Sequence, residues 1–72
     1  MKKTFKLEDL ECAHCAAKME TEINKIEGVV SSRVVFITQK LIIEADDARF
    51  DEIMKECVKI CRRIEPDCRI IM

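Results

Sequence analysis

A chain of 72 residues with one glycine and one proline has room for a single domain whose core supplies no more than roughly 3 to 5 kcal/mol of net stability. Apolar residues make up 49% of it and charged residues 38%, with a formal net charge of -1, which is globular composition and excludes a disordered chain. The three aromatics, Phe5, Phe36 and Phe50, and the lack of a basic excess exclude a nucleic-acid binder, which needs a cationic face and stacking side chains.

No apolar run approaches the roughly 20 residues needed to span a bilayer, and Met1-Lys2-Lys3-Thr4 lacks the apolar stretch of a secretion signal. The expectation is a soluble, cytoplasmic monomer without membrane contact. Five cysteines are an odd number for a disulfide scaffold, so reduced thiols are expected. Residues 1 to 7 hold three lysines, whereas residues 8 to 27 hold six acids against Lys18 and Lys25.

In chain order, residues 3 to 8 alternate, with Phe5 and Leu7 on one side, and predict a first strand. From Cys15 the apolar spacing lengthens to three and four at Ala16, Met19, Ile23 and Ile26, which predicts an amphipathic helix ended by Gly28. Residues 29 to 37, "VVSSRVVFI", read as a second strand that hairpins through "TQK" into "KLIIEA". Asp46 and Asp47 offer capping oxygens to a second helix with Phe50, Ile53, Cys57, Ile60 and Ile64 on its apolar stripe, stopped by Pro66. The terminal "CRIIM" reads as a last strand with Cys68, Ile70 and Met72 on one side. The order implies an α+β fold, a ferredoxin-like βαββαβ open-faced sandwich with a four-stranded antiparallel sheet and two helices on one face, formed by residues 1 to 72 as one domain.

The chemistry concentrates in "LECAHCAAKME", residues 10 to 20. Cys12 falls in the loop after the first strand and Cys15 in the first helical turn, where free N–H groups and the helix dipole favour thiolate. Two such sulfurs can form a two-coordinate Cu(I) site or half of a tetrahedral Zn(II) or Cd(II) site. A closed zinc site would need a second pair, and "CVKIC" at 57 to 61 has the wrong spacing and lies in mid-helix. Cys57, Cys61 and Cys68 are therefore expected to pack, as is Met19. His14, between the two loop cysteines, is expected to face solvent and is the weakest ligand candidate.

"LECAHCAAKME", "IEGV", "VVFITQKLIIE" and "RRIEPD" together resemble the heavy-metal-associated domain, a βαββαβ family with a metal-binding C-x-x-C, over nearly the whole chain. The loop and the "KLIIE" and "IEPD" segments are most similar to the amino-terminal domains of zinc/cadmium/lead-exporting P-type ATPases. The resemblance implies a noncatalytic module that binds a metal ion through Cys12 and Cys15. It also implies transient contact with a metal donor or with the transmembrane metal site of an ATPase. Asp9 and Leu10 stand where the family's copper-type loop has Gly and Met. Glu11 stands where zinc and cadmium members carry an aspartate ligand, which makes it a candidate third ligand and favours Zn2+, Cd2+ or Pb2+ over Cu+. A free-standing copper chaperone is the alternative. A thiol oxidoreductase is the rival from another class, disfavoured because Pro66 ends a helix and does not face the cysteine pair.

Overall fold

The computed structural model describes residues 1–71 and contains β1 (Lys2–Glu8), α1 (Ala13–Asn24), β2 (Val29–Val35), β3 (Lys40–Ala45), α2 (Phe50–Ile64) and β4 (Arg69–Ile71). The strands lie in the order β2-β3-β1-β4, every neighbouring pair antiparallel, which is the expected ferredoxin-like sandwich. Period-two alternation gives the sheet an inner row: Phe5 pairs with Leu41, and Leu41 with Val34. Against Leu7, Leu41, Ile43 and Ala45 pack Ala16, Met19 and Ile23 of α1, and Phe50, Ile53, Met54, Cys57, Ile60 and Cys61 of α2. None of the described helices is long and apolar enough to cross a membrane.

Several boundaries differ from the sequence reading, each for a local reason. α1 starts at Ala13, with Cys12 as its N-cap, and stops at Asn24, four residues before Gly28. Its last turn is held to the free edge of β2: Glu20 Oε1 accepts from the Val34 N–H at 2.8 Å, and Ser32 Oγ donates to Asn24 Oδ1 at 2.9 Å. The first of these bonds satisfies a backbone N–H that an edge strand would otherwise present open, and the second ties side chain to side chain. The chain then tightens through Ile26 N–H to Ile23 O and Val29 N–H to Ile26 O, both 3.1 Å. Gly28, at φ +98°, turns it into β2.

β2 ends at Val35 rather than Ile37, because Phe36–Gln39 form a turn closed by the Gln39 N–H on Phe36 O at 3.2 Å. Phe36 packs against the core, whereas Ile37 is 90% exposed. Asp46 caps the short turn Asp47–Arg49 before α2 through the Ala48 N–H at 3.1 Å, while Asp47 instead meets the Met1 amino group at 2.6 Å. α2 buries Met54 and Cys61 beyond the expected stripe, and Ile64 is only partly buried. Cys68 is buried just before β4, and Met72 lies outside the described residues.

Gly28 is the position where the turn requires glycine. A Cβ there would stand 3.0 Å from Ile53 Cδ1, on a backbone that L side chains rarely adopt. Gly28→Ala should lower unfolding stability by about 1 to 3 kcal/mol in urea titration; an unchanged midpoint would contradict this account of the turn.

Candidate metal centre

The site begins where β1 ends. Asp9 takes φ +59°, a left-handed conformation that glycine enters at least cost, which accords with glycine at this position in the copper-type loop. Leu10, only 2% exposed, turns into the core and anchors the loop. Cys12 then adopts an extended backbone (φ -126°, ψ 114°), its carbonyl accepting from the Ala16 N–H at 3.0 Å and its sulfur from the Cys15 N–H at 3.2 Å. A sulfur thus occupies the place where helices ordinarily have a Ser, Thr, Asp or Asn oxygen.

No acid within the first turn of α1 offsets the helix dipole at that sulfur, whereas α2 places Asp51 and Glu52 in its own first turn. The positive end of α1 is therefore free to favour a thiolate. A hydrogen bond from the Cys15 side chain, and next the Cys15 backbone N–H, hold the Cys12 thiol below its ordinary value. The complementary effect pushes Cys15 up to about 11, chiefly through its bond to the Cys12 sulfur, then through burial and the nearby Glu65 carboxylate. Of the two, Cys12 is the thiol whose ionisation is favoured.

Of the residues singled out from sequence, Cys12 and Cys15 are brought together and both are partly exposed. Glu11 is exposed and lines a polar cleft with Asp9, Arg62, Asp67 and Arg69. His14 is exposed on the outer side of α1, beside Lys18, Thr21 and Arg63. The sequence reading missed Glu65. Pro66 drives the residue before it out of the helix, so Glu65 is extended at φ -136°, ψ 93° as the C-cap of α2, and its carboxylate acts on both loop sulfurs. The Glu-Pro step in "RRIEPD" was the available signal. Among the described residues, no three His, Cys, Asp or Glu side chains already stand grouped to hold a metal ion.

The other cysteines differ in kind. Cys57, Cys61 and Cys68 are buried in the core, and burial pushes Cys57 up to about 11, Cys61 up to about 12 and Cys68 upward. They pack as neutral apolar groups.

The fold and the paired loop cysteines define a heavy-metal-associated domain, and residues 4–66 match the model of that family; the chain belongs to it. Among particular relatives, it is 30% identical over 64 residues to the copper chaperone CopZ of Enterococcus hirae, covering 89% of this chain and 86% of that protein. It is 36% identical over 44 residues to the zinc/cadmium/lead-transporting P-type ATPase of Escherichia coli, a match of 61% of this chain and only 6% of the ATPase. The amino-terminal domain of a potential copper-translocating P-type ATPase from Bacillus subtilis, solved in its Cu(I)-loaded state, superimposes with a TM-score of 0.75 at 25% identity, over 99% of this chain and 84% of that one.

Because thiolate is the reactive species, iodoacetamide near pH 7 should alkylate Cys12 first, Cys15 more slowly, and Cys57, Cys61 and Cys68 only on unfolding. Mass spectrometry of digested protein reads the order, and labelling of Cys61 at the rate of Cys12 would contradict it.

Proposed function

We propose that this domain binds a soft or borderline heavy-metal ion between Cys12 and Cys15 and passes it on by ligand exchange, acting as a carrier and not a catalyst. The observation that carries the reading is the placement of both sulfurs at a helix N-terminus with no acid in its first turn, where the Cys12 sulfur accepts from the Cys15 N–H at 3.2 Å. Two thiolates on an accessible loop leave coordination positions open. An incoming thiolate can bind the cargo before both loop sulfurs release it, so transfer proceeds without a free ion.

The cargo is a divalent ion, Zn2+, Cd2+ or Pb2+, completed by a carboxylate. The Glu65 carboxylate, at the end of α2, acts on both sulfurs, and Glu11 adjoins Cys12 in the loop. A carboxylate beside two sulfurs suits ions that take three or four ligands of mixed type, and suits linear Cu(I) poorly. The domain then serves as the cytosolic amino-terminal module of a metal-exporting P-type ATPase, handing metal to the transmembrane site or receiving it from a donor protein. Copper delivery by a free-standing chaperone is the second reading, favoured by the match to CopZ across most of both chains.

Outer-shell changes at metal sites cost about 10 to 100-fold in affinity, so removing a ligand outright, by Cys12→Ala or Cys15→Ala, should cost more than about 100-fold while circular dichroism stays native. Unchanged affinity in either variant would defeat the assignment. Glu65→Gln and Glu11→Gln, titrated with Zn(II), Cd(II), Pb(II) and Cu(I), decide the cargo. At least one should weaken divalent binding by about tenfold and leave Cu(I) nearly unaffected. Equal losses for all ions, or none, would favour copper.

A further inference from the structure

Gln39 has every hydrogen-bonding group engaged, and its side chain is spent on the metal loop. Its Oε1 accepts from the Leu10 N–H at 3.0 Å, and its Nε2 donates to Leu10 O at 2.6 Å and to Phe36 O at 2.9 Å. Its backbone N–H closes the β2–β3 turn on Phe36, and its carbonyl accepts from the Leu7 N–H at 2.7 Å. One carboxamide thereby pairs both backbone groups of Leu10, much as a neighbouring strand would, at a place where β1 has ended and its ladder with β3 has stopped at Lys6–Lys40.

This clamp needs an unfavourable backbone. Gln39 sits at φ +55°, the left-handed region that is unfavourable for a non-glycine side chain. Glycine would serve the turn better, so the turn alone does not account for glutamine. What the side chain adds is a fixed position for Leu10, two residues ahead of Cys12, on a loop that also carries the strained Asp9.

We propose that Gln39 is a positioning residue of the metal loop, and that its two-point clamp on Leu10 restrains the loop and slows release of bound metal. Resting on the carrier reading above, the inference assigns to the β2–β3 turn a role in the exchange rate. Release by ligand exchange requires the Cys12 end of the loop to swing away from Cys15. While Leu10 is held at both backbone groups and by its buried side chain, that swing is restrained two residues from its pivot.

Gln39→Gly separates the two roles, since it relieves the turn and deletes the clamp. Gln39→Asn keeps a residue that tolerates positive φ but is one methylene too short to reach Leu10. Gln39→Gly should be the more stable of the two variants because it relieves the turn, while in both the Leu10 amide exchanges with solvent about tenfold faster or more. Transfer of Cd(II) from the loaded protein to excess small dithiol, followed by ultraviolet absorbance, should accelerate by about three to tenfold. Loaded variants that transfer Cd(II) at the wild-type rate overturn the clamp's role, as does an unaltered Leu10 amide. Wild-type protein that takes up neither Cd(II) nor Cu(I) overturns the carrier reading itself, and the clamp's role in release with it.

Discussion

The hydrogen bond from the Cys15 N–H to the Cys12 sulfur joins the folding of α1 to the chemistry of the loop. Local preference alone would not choose it, because a sulfur caps a helix less well than the oxygen of Ser, Thr, Asp or Asn, and replacing such caps commonly costs about 1 kcal/mol. The domain accepts that weakness at one helix only. α2 carries acids in its first turn and Arg62 and Arg63 in its last, a full complement to its dipole, whereas α1 has no acid in its first turn and meets a base only at its C-cap, Lys25. A rule of helix design broken at one site and obeyed elsewhere is the pattern expected where function competes with stability.

The rest of the fold places other groups around that turn. Leu10 ties the loop to the core from below, the β2–β3 turn reaches it from one side, and the end of α2 reaches it from another. Pro66 acts twice there. It ends α2, and it forces Glu65 into an extended conformation from which its carboxylate acts on the two sulfurs. Three segments far apart in sequence thus meet at one end of the sandwich, while the buried cysteines, raised by desolvation, remain apart in chemistry. The same element, in five copies, is divided between reaction and packing by exposure and by backbone partners.

Much of this was legible in the sequence where a period governs the structure. The alternation in residues 3 to 8, the boundaries of "KLIIEA", and the stripe through Phe50, Ile53, Cys57 and Ile60 correspond to β1, β3 and α2 within a residue or two. What escaped were features decided by side chains reaching backbone across the fold. The end of α1 at Asn24 depends on Ser32 and on the edge of β2. The turn at Phe36–Gln39 interrupts an apolar run that reads as strand, because Gln39 is drawn to Leu10. Glu65 looked like one more charge at a helix end, and its meaning depends on where the next element brings the sulfurs. Glu11, adjacent in sequence to Cys12, faces a cleft with Arg62 and Arg69, so nearness along the chain and orientation toward the sulfurs are separate matters.

The central claim, that the cargo is held by the paired loop thiolates, is tested most directly by proton–cadmium correlation NMR on the domain loaded with one equivalent of 113Cd. The account predicts scalar couplings from the metal to the β-protons of Cys12 and Cys15 and to no other cysteine. Couplings to Cys57, Cys61 or Cys68, or to only one of the loop pair, would contradict it.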